Sequence, residues 1–153
     1  MKYSCSPFRI SINVFFIYTL LYEYGFFFTS FDKSNLNRQL LSNLNNIGQN
    51  KAKEACLRAK SINSDIFVDY KEMFLNEANI DEIDYSSFDY IIDCCDTVTT
   101  KYILIKKCLD HGVKIISSMG TGNRLDPTKI VIKDIWKTEN DPLAKAMRKI
   151  LRD

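Results

Sequence analysis

Glycine is scarce in this 153-residue chain, which holds five, at positions 25, 48, 112, 120 and 122. No three of them fall at the spacing of a G-x-G-x-x-G turn, and no helical pattern follows the Gly120-x-Gly122 step. A nicotinamide-binding fingerprint is therefore excluded. Proline is rarer still, with three residues, so no proline-rich linker divides the chain, and no repeat or low-complexity tract is present. The five cysteines, at 5, 56, 94, 95 and 108, contain no C-x-x-C pair, so neither a zinc site nor a disulfide framework is signalled. Reduced thiols in a cytoplasmic protein are the expectation. Charge of one sign is missing as well: 21 Lys and Arg face 19 Asp and Glu, for a net charge of +2. No global field points to nucleic acid or to a membrane surface. A long apolar run is also lacking, because Glu23 interrupts the aromatic-rich stretch from Ile10 to Phe31 short of the ~20 residues that a spanning helix needs. No clean small-residue cleavage site follows it, so neither an anchor nor a secretory leader is expected.

With 46% hydrophobic and 26% charged residues, the chain has the composition of one globular domain. Its charge is unevenly placed. Residues 1–100 carry 9 basic and 13 acidic side chains, whereas residues 101–153 carry 12 and 6, a polarity that can turn the C-terminal part toward a polyanion or simply reflect solvated helix faces. From residue 32 onward, short β-branched runs alternate with helical periods, the pattern of an α/β fold. Strands are expected at Asp65 to Tyr70, Phe88 to Asp93, Val113 to Ser117 and Lys129 to Ile135. A helix is expected from Gln49 to Ser61, with Ala52, Ala55, Cys56, Ala59 and Ile62 on one face. Another runs from Thr97 to His111, with Tyr102, Ile105 and Leu109 as its apolar face, Gly112 as its stop and His111 as a partner of the C-terminal dipole. A third opens at Asp141-Pro142 and carries Leu143, Met147, Ile150 and Leu151 as its stripe. Periodicity does not decide whether Gly25 to Phe31 forms a further strand.

Three clusters carry chemistry. In the first, Ser34-Asn35-Leu36-Asn37-Arg38-Gln39, several amide donors and a planar guanidinium stand within six residues, a set suited to phosphate as well as to a solvated helix start. The second is Lys51 in Gly48-Gln49-Asn50-Lys51-Ala52, at a helix start where an ammonium and backbone N–H groups can meet an anion together. In the third, Ile91-Ile92-Asp93-Cys94-Cys95-Asp96-Thr97, an apolar strand runs into carboxylates and then a helix. Ligands of open parallel sheets bind at the carboxyl ends of strands, so Asp96 suits either magnesium or a helix cap at Thr97.

In this order and spacing the three clusters resemble the ThiF-type adenylating family, which includes the ubiquitin-activating enzymes and the bacterial activators of molybdopterin and thiamine sulfur carriers. Residues 118–128, followed by Asp134-Ile135, Lys137-Thr138, Asp141-Pro142-Leu143-Ala144 and Arg148, resemble the tRNA threonylcarbamoyladenosine dehydratase branch. The resemblance covers residues 34 to 152. It implies a Rossmann-like, mostly parallel sheet flanked by helices, incomplete at the N-terminus, with residues 1–33 a divergent apolar segment and 34–153 a partial adenylating domain. It further implies ATP and Mg²⁺ as cofactors, bound by Ser34, Asn35, Asn37, Arg38, Gln39, Lys51, Asp96 and Thr97. Arg38 and Lys51 would face the phosphates and Asp96 would hold the metal. The implied reaction is adenylation of the threonine carboxylate of the modified tRNA adenosine, with displacement of AMP by an internal nucleophile and a cyclised nucleoside as product. It requires no covalent cysteine, so Cys94 and Cys95 read as core. The implied partners are tRNA and a second copy in a homodimer. Lys129, Lys133, Lys137, Lys145, Arg148 and Lys149 are the candidates for contact with the RNA backbone.

The family opens with a strand, a G-x-G-G-V-G-S turn and a phosphate-cradling helix, after an arginine that reaches the partner subunit's ATP. It also carries an acidic pair ahead of the SNLNRQ segment. Residues 1–33 hold one glycine, Gly25, and one arginine, Arg9, and only Asp32 can stand in for the acids. Loss of that first strand is expected to leave the centre of the sheet open, with the aromatic N-terminal stretch as its available cover. Two functions follow: an adenylating enzyme whose phosphate site is completed in an unusual way, or an inactive family fragment that binds tRNA or a partner subunit.

Overall fold

The β-branched and aromatic runs assemble into one sheet in the computed structural model, which describes residues 9–13, 22–26, 29–120 and 125–152. Its five strands are β1 (Arg9–Asn13), β2 (Tyr22–Phe26), β3 (Phe67–Lys71), β4 (Tyr90–Asp93) and β5 (Lys114–Ser117). They lie in the order β3-β2-β1-β4-β5, and every neighbouring pair is parallel. Three helices complete the described fold: α1 (Lys51–Ile62), α2 (Val98–Asp110) and α3 (Pro142–Ile150). The step from β2 to β3 crosses the sheet one way and the step from β4 to β5 the other. Right-handed crossovers therefore put α1 and α2 on opposite faces and open a crevice where the direction reverses, at the carboxyl ends of β1 and β4.

The centre of the sheet is occupied, which corrects the expectation that it lacks a strand: Arg9–Asn13 pairs with β2 on one side and β4 on the other. Gly25 and Phe26 close β2, whereas Ser30 forms a separate antiparallel bridge to Asn50. The strands β3 to β5 and the three helices fall within two residues of their expected bounds. The run from Lys129 to Ile135 is not a strand. Pro127–Lys129 and Ile135–Lys137 are single 3-10 turns, and Ile130, Val131 and Ile132 between them are 63%, 59% and 88% exposed. Their β-branched composition suits a strand, but among the described residues no sheet edge pairs with them.

The core beneath α2 gathers Leu75, Ile80, Ile83, Tyr85, Ile91, Ile103, Leu104 and Cys108. On the other face, α1 buries Ala52 and Cys56 against β3, with the Cys56 thiol directed at the Val68 carbonyl. Ala144 and Met147 of α3 are fully buried where that helix meets α2. The end of α2 behaves as expected: His111 is its C-cap, and Gly112 follows at φ 68, the left-handed turn that glycine adopts without strain. The His111 ring is stacked on Tyr85 with centroids 4.9 Å apart.

The inner face of α2 differs from its sequence reading. Leu109 is 67% exposed, whereas Lys101 is fully buried beside Leu104 and Cys108. Its ammonium lies 2.6 Å from Oδ2 of Asp93, which is buried to the same degree. It also donates to Ser117 Oγ at 3.1 Å and to the Ser118 carbonyl at 2.9 Å. Ser117 Oγ donates to the same Asp93 oxygen at 2.6 Å, and Asp93 Oδ1 accepts from the Cys95 amide at 3.0 Å. Every member of this buried network has partners, the condition under which such a network is tolerated. Removing one charge strands the other in the interior. Lys101→Met is therefore expected to lower the unfolding free energy in urea by about 3–5 kcal/mol. The double variant Lys101→Met/Asp93→Asn, which removes both charges but keeps a polar group for Ser117 and Cys95, should recover part of that loss. An unchanged urea midpoint for Lys101→Met would contradict this account.

Candidate functional site

The segment after β2 turns back on itself before α1 begins. The Phe31 amide donates to Gln49 O (2.9 Å), the Gly48 amide donates to Phe31 O (2.8 Å), and the Lys51 amide donates to Thr29 O (3.1 Å). Gly48 stands at φ 85, a conformation that side-chain-bearing residues rarely adopt. Asn50 caps α1 by accepting from the amides of Ala52 and Lys53. Lys51 is thereby set at the first turn of α1, beside the loop that carries Ser34 to Gln39.

Within that loop, Asp32 and Asn35 form a capping box. The Ser34 amide donates to Asp32 Oδ1 (2.8 Å), and the Asp32 amide donates to Asn35 Oδ1 (3.1 Å). Asn35 is buried and serves this turn, whereas Ser34, Asn37 and Arg38 are exposed and Gln39 is half-buried. The Arg38 guanidinium donates from Nη1 to the Ser34 carbonyl (2.5 Å) and to Asn37 Oδ1 (3.0 Å), which fixes its direction. The Lys51 ammonium lies 5.7 Å from the centroid of the Phe31 ring. Burial and then repulsion from Arg38 hold the Lys51 ammonium below its ordinary pKa, with attraction from Asp32 opposing them. The structure thus brings Arg38, Lys51 and Asp32 within electrostatic reach of one another. Two cations held together at a cost are what an anion relieves.

Asp96 and Thr97 stand at the carboxyl end of β4, where Asn13, Asp93 and Ser117 align across three strands. Both are exposed. Thr97 is the N-cap of α2 but its side chain makes no capping bond, so neither residue closes the helix end as the sequence suggested. No hydrogen bond or ion pair joins Asp96 to Arg38 or Lys51. Among the described residues no group of three His, Cys, Asp or Glu converges on a metal position, which leaves Asp96 as a single carboxylate. That fits magnesium held through one carboxylate, water and a ligand's phosphates, and does not fit an all-protein cage. Cys94 and Cys95 are half-buried, and burial followed by the charge and hydrogen bonding of Asp93 pushes their thiols up to about 11 and about 12. They are protonated at neutral pH and poorly suited to attack.

Sequence reading missed Lys101 and Asp93 as the pair that sets the end of β4. It also missed the structural use of Asn35, although Asp32-x-x-Asn35 is the spacing of a capping box. The basic residues proposed for RNA contact divide: Lys133, Lys137, Lys145 and Lys149 are exposed, Lys129 pairs with Asp126 at 3.6 Å, and Arg148 points inward. Its Nη1 donates to the carbonyls of Ile135 (3.2 Å) and Thr138 (3.0 Å) and to the Thr138 hydroxyl, so it serves the fold and is not available to a phosphate. No helix among the described residues is long and apolar enough to cross a membrane.

A parallel sheet in this order, with polar and cationic groups gathered at its carboxyl edge, defines a Rossmann-like ligand-binding α/β protein. The chain belongs to the ThiF family, whose model matches residues 28–146. It is 40% identical over 121 residues to the tRNA threonylcarbamoyladenosine dehydratase of Bacillus subtilis, covering 79% of this chain and 48% of the relative. The Escherichia coli dehydratase is 32% identical over 119 residues, covering 78% and 44%. The crystal structure of the E. coli enzyme in complex with ATP superposes with a TM-score of 0.82 at 29% identity, covering 86% of this chain and 54% of that one. The complex of the same enzyme with AMP gives 0.81. The chain spans about half the length of these relatives.

Two measurements test the electrostatics. Arg38→Ala removes a repelling charge and is expected to raise the pKa of Lys51, read from its ¹³Cε resonance across an alkaline titration. The sign for stability follows from the same shift: the charged form of Lys51 is disfavoured in the fold, so its cost is present at neutral pH and is relieved as pH rises through its lowered pKa. Cys94 and Cys95 should resist iodoacetamide at pH 7 and react only as pH approaches 11. Rapid alkylation of either at pH 7 would overturn their assignment as protonated core thiols.

Proposed function

We propose that this chain binds ATP at the carboxyl edge of its sheet and activates a carboxylate by adenylation, the carboxylate being that of threonylcarbamoyladenosine in tRNA. The exposed, oriented guanidinium of Arg38 carries this reading, supported by Lys51 at the first turn of α1 and by the likeness to dehydratases whose structures hold ATP and AMP. Arg38, oriented by Ser34 and Asn37, presents a fixed guanidinium to phosphate oxygens. Lys51 adds a second charge from the first turn of α1, where amide dipoles reinforce it. Asp96 would hold Mg²⁺, which neutralises the charge developing on the phosphates. Adenylyl transfer is accelerated mainly by positioning and by cations that absorb charge, which these residues supply without a covalent cysteine. The tRNA and a second copy of the chain are the proposed partners.

A second reading has its own observation. Eight residues, 14–21, separate β1 from β2, whereas a helical crossover between parallel strands takes about a dozen or more. None of the eight is glycine. On this reading the chain binds nucleotide or tRNA without activating its substrate.

Calorimetric titration with ATP and Mg²⁺ tests binding: Arg38→Ala and Lys51→Ala should each weaken it about 10- to 100-fold, the effect of a lost charge-assisted hydrogen bond. Exchange of labelled pyrophosphate into ATP in the presence of modified tRNA separates the readings. Binding with exchange supports the enzyme, binding without exchange supports the silent member, and no binding at millimolar ATP removes both as nucleotide-site readings.

A further inference from the structure

Trp136 is the single tryptophan of the chain, and it is 49% exposed. Its turn, Ile135–Lys137, is held in place from both ends. Asp134 accepts from the Trp136 amide at 2.9 Å, and Arg148 of α3 clamps the carbonyls of Ile135 and Thr138. The guanidinium of Arg152 lies over the indole, 5.6 Å from its centroid. With that cation on one face and half of the residue still exposed, the ring keeps area on which a planar group can lie.

The surroundings are cationic. Lys133 and Lys137 flank Trp136 along the chain, Lys145 and Lys149 stand exposed at spacing i, i+4 on α3, and Arg152 follows just past that helix's C-cap. Among the described residues none of these four lysines has an ion-pair partner. Two nearby carboxylates that could neutralise them are turned to capping: Asp134 caps the Trp136 turn, and Asp141 accepts from the Ala144 amide at 2.8 Å. An aromatic ring on a held turn among exposed lysines has the composition of a single-stranded nucleic-acid platform, in which a base stacks while phosphates meet the cations.

We infer that Trp136 and the lysines around it form an RNA-contact surface, with an unpaired base stacked on the indole and the flanking phosphates met by Lys133, Lys137, Lys145 and Lys149. The inference rests on the proposed tRNA substrate and adds where and how the RNA is held. Unpaired loop bases can reach the ring. Bases inside a duplex cannot.

Because Trp136 is the sole tryptophan, its emission reports on the surface directly. The wild-type chain is titrated with an anticodon stem-loop RNA and with a fully paired RNA of equal length, while total binding is followed in parallel by filter retention. The expected result is quenching of Trp136 by the stem-loop only, with affinity for the stem-loop falling about 5- to 150-fold in Trp136→Leu and largely retained in Trp136→Phe. Lys133→Gln/Lys137→Gln should reduce the slope of log affinity against log salt by about 1.4, the loss of two phosphate contacts on single-stranded RNA. Stem-loop binding with unchanged emission and equal affinity in Trp136→Leu would overturn this surface and leave the tRNA reading standing. Failure of the wild-type chain to bind either RNA would overturn the tRNA reading and the surface with it. A change in Trp136 emission with protein concentration alone would assign the surface, with the exposed Ile130 to Ile132 run, to a second copy of the chain and overturn RNA contact.

Discussion

The carboxylate of Asp93 and the ammonium of Lys101 are both withdrawn from water, and the carboxyl edge of the sheet is organised around their contact. Desolvating two charges costs several kcal/mol each, and their attraction compensates only when the remaining donors and acceptors are also satisfied. Here they are: Ser117, the Ser118 carbonyl and the Cys95 amide complete the set. The consequence is geometric. One interaction joins the ends of β4 and β5 to the second turn of α2, so the chain from Cys94 to Thr97 can leave β4 in only one direction. Asp96 stands exposed at the crevice because Asp93, three residues earlier, does not move. The same contact engages the Lys101 ammonium in the interior, away from the exposed cations of the proposed anion site.

Those cations depend on a second, weaker constraint. Between Asp32 and Asn50 the loop contains a single glycine, and its turns are closed by asparagine side chains bonded to backbone. Asn35 completes the capping box, Asn43 Oδ1 accepts from the Asn45 amide, and Asn46 accepts from the Asn43 amide while donating to the Leu41 carbonyl and to Glu54. Glycine supplies conformational freedom, whereas asparagine supplies a bonded turn that loses less entropy on folding. Only at Gly48 is positive φ needed, to let residues 48–51 pair back to Thr29 and Phe31. The pairing brings Lys51 back beside the loop that carries Arg38, across the twelve residues that separate them in sequence.

Much of this was legible from the residues. The SNLNRQ segment, Lys51 and Asp96 stood out through their shared order and spacing, since each alone suits a solvated helix start or a cap equally well. Strands β3 to β5 announced themselves by β-branched runs bounded by turn residues. Strands β1 and β2 did not, because Ile10 to Phe31 is apolar without alternation, which leaves no period of two to read. Lys101 was illegible for the opposite reason: hydropathy assigns lysine to the surface, so the apolar face of α2 was placed on Tyr102, Ile105 and Leu109, with exposed Leu109 counted as core and buried Lys101 left out of it. The run from Lys129 to Ile135 shows the limit of composition, since strand-forming residues need an edge to pair with. Asn35 shows a different limit, that of taking a polar side chain in a motif for a ligand contact when its own backbone claims it first.

The eight residues between β1 and β2 change how a phosphate can be held. A glycine-rich turn ahead of a helix recognises phosphate through backbone amides, which are short-ranged, neutral and insensitive to salt. In the proposed site, with no glycine among these eight residues, the work would fall to Arg38 and Lys51, whose charges act over a longer range and are screened as ionic strength rises. Burial and then repulsion from Arg38 disfavour the charged form of Lys51, and an anion at the proposed site would oppose both. Such a site can be selective for multiply charged phosphates while holding them less rigidly than a backbone cradle does. Rigidity matters more for transfer at the α-phosphate than for binding, because in-line attack needs the phosphates fixed to within a fraction of an ångström. The geometry at Arg38 and Lys51 therefore supports nucleotide binding more directly than it supports turnover, and the two properties separate physically at the connection from β1 to β2.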